Sequence, residues 1–295
     1  MAIIECVPNF SEGRDRRVVH AIAEAAGGIP GVKVVDWTLD PDHNRSVLTI
    51  IGEKDHVISA ALAASERALD LIDMRTHSGV HPRIGAVDVV PFIPLKGASM
   101  ETAVQSAHTF GRKLAGRRGV PVYFYGEAAR SPDRKHLANI RKGGYESLPE
   151  RLTDPSRRPD EGPVSFNPAA GATAVGARKP LVAFNVDLES DNLEIARTIA
   201  RTIRQSSGGF DHVQAIGIAL ESRGIVQVSM NLTDCDRTPI IAVYERIKEE
   251  ARKLGVEILE SELIGLMPKS ALAGTTAEYC RIRDFSDERF IEYYL

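Results

Sequence analysis

The sequence predicts an α/β protein of the α+β class in which two halves repeat one order of elements. Apolar residues alternate with polar ones in some segments, which predicts strands, and recur every three to four residues in others, which predicts helices. Along the first half these segments follow the order strand, helix, strand, strand, helix, strand. This order is the split β-α-β pattern. The second half gives the same order again, after a stretch rich in glycine, proline and arginine. We therefore expect two subdomains, residues 1–178 and residues 179–295.

In the first half, the helices have recognisable starts and stops. One begins near Arg14 and ends at Gly27 and Gly28, and a second has Asp55 as its N-cap and runs to about Ile72. Further helices are expected at Met100–Ala115 and Asp133–Arg141. The predicted strands are Ile3–Val7, Val32–Trp37, Ser46–Ile51, Ala86–Ile93 and Val122–Tyr125.

In the second half, one helix runs from Asn192 to Gln205, and another has Thr238 as its N-cap and Pro239 in its first turn. Gly224 predicts a hairpin turn. The predicted strands are Leu181–Val186, Ala215–Leu220, Val226–Leu232 and Val256–Leu259. Each half thus has ferredoxin-like order.

The stretch between the halves, residues 142–179, shows little hydrophobic periodicity and is too long for a simple connector. Such a stretch predicts a loop that is either functional or disordered. Because pockets favour domain interfaces, we expect the ligand groove between the two subdomains.

Composition excludes several classes of function. The chain has 295 residues, of which 43% are hydrophobic, enough for a large core. Its net charge of −3 and the lack of a basic block do not favour a nucleic-acid partner. The sequence contains no run of about eighteen apolar residues, so no membrane span is predicted. Cys6, Cys235 and Cys280 are too widely spaced for a disulfide framework or a structural zinc site and are expected to be buried hydrophobes, which favours a reducing, cytoplasmic location.

The stretch from His77 to Pro94, HSGVHPRIGAVDVVPFIP, carries the main catalytic candidate. Pro82 keeps His81 out of the helical region, so its imidazole lies on a constrained loop at a strand entrance. Imidazole titrates near neutral pH and can act as general base or acid, although a solvated histidine is the commoner case. His77 and His81 have the spacing of helical metal ligands, but the intervening Gly79 and Pro82 disfavour a helix, so no metal is predicted.

Other charged residues near this stretch have two readings each. Asp88 lies mid-strand, where a carboxylate is costly unless paired; it either supports the site from beneath or points outward at a sheet edge. Arg45 and Arg83 could each clamp a carboxylate, or be solvated. His43, in DPDHNR, is predicted to be a solvated turn histidine.

The segment GPVSFNPAAGATAVGAR, from Gly162 to Arg178, combines small residues with Phe166 and with polar Ser165 and Asn167. These suit close backbone approach to a flat heteroaromatic ligand, although an ordinary surface loop has the same composition. The segment lacks the lysine of a phosphate-binding loop, and the chain has no GxSxG nucleophile motif, so covalent catalysis is not favoured.

Long strings in one order along the chain resemble glutamate formimidoyltransferases, the formiminotransferase domain of the formiminotransferase-cyclodeaminase family in its stand-alone form. These strings are ECVPNFSEGR, NRSVLTIIG, LIDMRTHSGVHPRIGAVDVVPFIP, VPVYFYGEAAR, RPDEGPVSFNPAAGATAVGARKPLVAFNV, QVSMNL and ERFIEYYL. The resemblance spans essentially the full length. In animals this activity is fused to a cyclodeaminase domain.

The resemblance implies a transferase that moves the formimino group from N-formimino-L-glutamate to N5 of tetrahydrofolate, its co-substrate. It also implies a homodimer in histidine degradation and one-carbon metabolism, with no metal. His81 matches the catalytic histidine of the family. The matching folate-binding segment is Gly162, Pro163, Val164, Ser165, Phe166, Asn167, Pro168, Ala169, Ala170 and Gly171. Formyl transfer between 5-formyltetrahydrofolate and glutamate, or a non-catalytic folate-binding protein, are the alternatives.

Overall fold

The computed structural model describes residues Ala2 to Leu295. The chain divides into two compact units, unit 1 up to Arg178 and unit 2 from Lys179 onward. Each unit is built on its own mixture of strands and helices.

Unit 1 has one seven-stranded sheet with the split β-α-β order and three added strands. Its elements are β1 Ile3–Cys6, β2 Asn9–Phe10, α1 Arg16–Gly27, β3 Val32–Asp40, β4 Arg45–Glu53, α2 Lys54–Leu71, β5 Val87–Pro94, α3 Met100–Arg118, β6 Val122–Gly126, α4 Leu137–Arg141, α5 Leu148–Thr153 and β7 Thr173–Ala177. Strands β1 and β2 both lie between β4 and β5 in antiparallel pairing. The parallel strands β7 and β6 extend the sheet beyond β5.

The three long helices, α1, α2 and α3, cover one face of this sheet. Ile4, Cys6 and Phe10 point into the core that these helices share with the sheet. Because side chains alternate along a strand, Glu5, Asn9 and Arg45 lie on the opposite face, which we call the polar face. The short helices α4 and α5 pack against its far part, over β6 and β7, around Tyr123 and Tyr125.

The prediction that residues 142–179 form a loop without secondary structure was wrong. The stretch contains α5 and β7, and β7 pairs on both sides with neighbouring strands. Its sequence, TAVGA, is buried throughout, and a strand buried on both faces shows no alternation of polar and apolar residues. Only glycine fits at position 176, because the Tyr125 ring lies against it and an added Cβ would come within 2.4 Å of that ring.

Unit 2 is a four-stranded antiparallel sheet with two helices on one face. Its elements are β8 Val182–Leu188, α6 Leu193–Ile203, β9 Val213–Leu220, β10 Ile225–Leu232, α7 Ile240–Lys253 and β11 Ile258–Ile264. The strand order β11-β8-β10-β9 is the ferredoxin-like order. The predicted fold class of two α+β subdomains is therefore confirmed.

Several element ends differ from the predictions. Asp55 lies in the first turn of α2 and is not its N-cap. Thr238 does not cap α7, because its hydroxyl donates to the Asp211 carbonyl at 2.6 Å and Pro239 takes the cap position. Strand β11 begins two residues later than predicted, at Ile258. Helix α6 begins at Leu193, one residue after its predicted start, and the Asn192 side chain caps it by accepting a hydrogen bond from the Glu194 N–H.

Two sequence-based expectations concern the chain as a whole. Cys6, Cys235 and Cys280 are free and buried, as predicted. Between Ala2 and Leu295, the structure contains no helix with the length and apolar character needed to cross a membrane.

Candidate active site

The chemistry-bearing residues of unit 1 surround Asp88, on the polar face. The Asp88 carboxylate is fully buried, and its Oδ2 accepts hydrogen bonds from Arg45 Nη1, at 2.6 Å, and from Arg141 Nη2. Its Oδ1 accepts from the Ile84 N–H at 2.8 Å. Burial raises the pKa of Asp88, but the charges of Arg141 and Arg45 outweigh burial and hold that pKa at about 2. The reading of Asp88 as an outward edge residue was therefore wrong.

Arg45 is fixed on β4 by contacts on both sides of its guanidinium. Its Nε and Nη2 donate to Asn9 Oδ1 at 3.1 and 2.8 Å, and the Asn9 amide donates to the Val7 carbonyl at 2.7 Å. Burial lowers the pKa of Arg45 to about 10, which leaves it cationic at neutral pH. Two guanidinium groups therefore face one carboxylate, so we call Asp88, Arg45 and Arg141 the ion triad, with a net positive charge.

His77 and Arg83 lock the loop that precedes β5. His77 Nε2 lies 2.9 Å from the Asn44 carbonyl oxygen, which can only accept, so Nε2 carries the proton. Its Nδ1 then accepts from Arg83 Nε at 3.2 Å. The Arg83 guanidinium also donates twice to Glu146, at 3.0 and 2.7 Å. Arg83 is thus committed to a carboxylate of its own chain, and His77 has a positioning role.

His81 lies half-buried on the same loop, next to the ion triad. Its Nδ1 is 2.8 Å from the Pro82 carbonyl oxygen, so Nδ1 carries the proton and Nε2 keeps its lone pair. Burial lowers the pKa of His81, and the charges of Arg45 and Arg141 lower it further, so that it lies well below the ordinary value. The imidazole is therefore neutral near pH 7, as a general base must be.

His43 was predicted to be solvated, and this was wrong. His43 is only 9% exposed, and its ring centre is 5.8 Å from that of His81. The cause is the turn after β3, in which Asn44 adopts a positive φ of 47°. The Asn44 side chain accepts from the Gly13 N–H and donates to the Ser78 carbonyl, which joins this turn to the His81 loop. The one sequence signal was an asparagine, the residue that tolerates this φ, directly after His43.

The segment from Gly162 to Gly171 adjoins the His81 loop through its C-terminal part. The Ala169 carbonyl accepts from the Met74 N–H at 3.0 Å, and the Ala170 carbonyl accepts from the Ala86 N–H at 2.9 Å. Asn167 shapes the turn, because its side-chain oxygen accepts from the N–H groups of Ala169 and Ala170. Gly171 has a φ of 70°, and an added Cβ would lie 2.3 Å from the Ile84 carbonyl oxygen.

The aromatic residue of this segment pairs with a tyrosine. The Phe166 and Tyr145 ring centres are 5.5 Å apart, and the Tyr145 hydroxyl donates to the Pro168 carbonyl at 2.6 Å. Gly162, at the other end of the segment, lies against the Val120 carbonyl. Val164 between them is half exposed. The structure therefore brings the later half of the segment, and not Gly162, to the His81 loop.

Glu5 is a second buried carboxyl on the polar face that sequence reasoning missed. It lies on β1 between the core residues Ile4 and Cys6 and is only 4% exposed. Burial raises its pKa to about 7, against the opposing charge of Arg178. A single carboxylate between apolar residues of a central strand was the available signal.

Comparison with known proteins gives one family for both units. Residues 3–178 match the family model described as the formiminotransferase domain, N-terminal subdomain, and residues 183–291 match the formiminotransferase domain. A glutamate formimidoyltransferase of Streptococcus pyogenes serotype M1 is 43% identical over 96% of this chain and 95% of its own length. One from Thermoplasma acidophilum is 43% identical over 99% of this chain and 97% of its own.

A longer relative, the formimidoyltransferase-cyclodeaminase of Rattus norvegicus, is 46% identical over 94% of this chain. The aligned part is 52% of that protein, so the chain spans about half of its length.

Replacing Glu5 by glutamine is expected to change how stability depends on pH. In the folded chain the pKa of Glu5 is about 7 against an ordinary 4.5, so its protonated form favours folding. That contribution is complete below pH 4.5 and is lost as the pH rises through 7. E5Q should therefore be more stable than wild type at about pH 8, by up to about 3 kcal/mol, and equal to it near pH 4.

Urea denaturation of wild type and E5Q across this pH range measures the effect. The exposed Glu278→Gln provides the control and should follow the wild-type curve. Parallel curves for wild type and E5Q would show that folding does not change the pKa of Glu5.

Proposed function

Because this chain belongs to the formiminotransferase family, we propose that it transfers the formimino group of N-formimino-L-glutamate to N5 of tetrahydrofolate. The products are 5-formiminotetrahydrofolate and glutamate. The observation that carries the proposal is the neutral imidazole of His81, whose Nε2 lone pair is available beside the positively charged ion triad.

The reaction needs one proton to move between two nitrogens. N5 attacks the amidine carbon and forms a tetrahedral intermediate that carries the N5 proton. His81 Nε2 takes that proton and then delivers it to the nitrogen of the departing glutamate, after which the C–N bond breaks. One imidazole thus serves as base and then as acid, which requires that it start neutral.

The ion triad keeps His81 in that state and in that place. Asp88 accepts the Ile84 N–H, three residues after His81, and so ties the loop to β5. Besides burial, the excess positive charge of the ion triad disfavours a second proton on the His81 imidazole. His81 therefore takes up a proton only in the tetrahedral intermediate, where N5 is acidic enough to supply one.

Tetrahydrofolate is proposed to lie along Gly162–Gly171, as the co-substrate. The features that support this are the Phe166 ring, whose face can stack on a heteroaromatic ring and which packs against Tyr145, and the small residues beside it. Holding both reactants next to His81 turns a bimolecular encounter into a near-unimolecular step.

The cellular setting is proposed from the resemblance. We place the enzyme in the cytoplasm, as a homodimer that acts in histidine degradation and one-carbon metabolism on two small-molecule substrates. Its net charge of −3 is consistent with the lack of a nucleic-acid partner.

Replacing His81 by alanine tests the catalytic role. We expect kcat for 5-formiminotetrahydrofolate formation to fall by about 10²–10⁴ because the proton acceptor is lost. The exposed His136→Ala should keep wild-type activity. In the wild type, kcat/KM should stay constant as the pH falls to 6.5 and decline only below it, because the pKa of His81 lies well below that ordinary value.

Near-normal turnover by a folded H81A would reject His81 as the base. An acid limb centred at or above pH 6.5 would reject the lowered pKa.

Replacing Phe166 by alanine tests the folate segment. Loss of a stacking surface worth roughly 1–3 kcal/mol should raise the KM for tetrahydrofolate about tenfold or more, with kcat little changed. Phe285→Ala is the matched control, since it removes one ring of an aromatic pair in unit 2, with centres 5.3 Å apart. Equal KM values for F166A and F285A would remove Phe166 from the folate site.

A further inference from the structure

We propose that His43 is a specificity-determining residue, whose Nε2 accepts a hydrogen bond from the terminal nitrogen of the formimino group. The inference rests on the proposed function and adds a second imidazole to the same site. It explains how the site distinguishes an imino donor from a formyl donor.

His43 is an imidazole with an unused nitrogen. The residue is 91% buried, and within residues 2–295 its shielded Nε2 has no hydrogen-bond partner. Buried polar nitrogens are normally paired, because leaving one unpaired costs its full desolvation. An imidazole nitrogen held in this way is available to a bound molecule.

The position of His43 beside His81 is enforced by the backbone. The His43 N–H donates to Asp40 Oδ1 at 2.8 Å, which fixes the turn. Gly79 lies so close that an added Cβ would come within 2.5 Å of the His43 carbonyl oxygen. The turn after β3 and the His81 loop are therefore in direct contact, and the two ring centres are held 5.8 Å apart.

This spacing places both rings within reach of one reacting carbon. His81 Nε2 must meet the proton on the N5 nitrogen bonded to that carbon. The terminal imino nitrogen is bonded to the same carbon, so it lies two bonds from N5 and within a few ångströms of the His81 ring. The His43 ring flanks the His81 ring, so we infer that its Nε2 contacts the terminal imino nitrogen.

The two possible donors make opposite demands on His43. A protonated formimino group presents only N–H donors, so it needs an acceptor, whereas a formyl oxygen has only lone pairs and needs a donor. This selectivity therefore requires that neutral His43 carry its proton on Nδ1, so that the unpartnered Nε2 accepts from the formimino donor and offers no N–H to a formyl oxygen.

The test compares N-formimino-L-glutamate with N-formyl-L-glutamate, which differ only by NH and O. His43→Phe keeps a flat ring but removes both nitrogens, and His43→Gln places an amide oxygen near the position of Nε2. We expect H43F to lower kcat/KM for the formimino donor about 10- to 100-fold, the effect of one hydrogen bond to a charged group. The kcat/KM for the formyl donor, or its Ki if it does not react, should change less than about threefold. H43Q should recover most of the formimino activity.

Each other outcome has a distinct meaning. Equal losses with both donors, or unchanged activity with both, would overturn the role of His43. No recovery in an H43Q with a wild-type urea midpoint would also count against it. If the wild type fails to turn over the formimino donor, the proposed function is rejected. The role of His43 is then decided by binding alone, from whether H43F weakens the Kd of the formimino donor and leaves that of the formyl donor unchanged.

Discussion

The buried contact of Asp88 with Arg45 and Arg141 is the interaction on which the rest of the site depends. It joins β5, β4 and the end of α4, and through the Ile84 N–H it also holds the loop that carries His81. A buried ion pair is weak evidence for stability, because desolvation cancels much of the attraction. Removing only one partner is severe, at about 3–5 kcal/mol, since it leaves a buried charge uncompensated. The triad is thus better understood as a positioning device.

The same contact decides the protonation of the site. Burial disfavours an imidazolium at His81, and the positive excess that two guanidiniums leave around one carboxylate disfavours it further. The Pro82 carbonyl then selects which ring nitrogen keeps its proton. Burial, the charge cluster and a single backbone carbonyl together produce a neutral base with its lone pair on Nε2.

Much of the fold could be predicted from the sequence, because periodicity and turn residues are local properties. Both halves show the expected strand and helix order, and α6 begins at Leu193, one residue after the predicted start. Strand β7 was missed because a strand buried on both faces has no alternation to read. Thr238 was misassigned as a cap because its hydroxyl bonds to Asp211, which is distant in sequence.

The site could be predicted only in part, for the same reason. His81 stands out because proline fixes its backbone, and the resemblance to a known family marks it. Arg141 gave no signal, since its partner Asp88 is far away along the chain. His43 seemed solvated because its burial depends on the fold of Asn44 against the 77–82 loop. Distant contacts of this kind are what local sequence patterns cannot encode.

The most direct measurement of the central claim is a ¹⁵N NMR titration of the His81 imidazole in the wild-type protein. Burial, the ion triad and the Pro82 carbonyl predict a neutral ring near pH 7, with the proton on Nδ1, and protonation only well below pH 6.5. An imidazolium near pH 7, or a neutral ring with its proton on Nε2, would contradict the account.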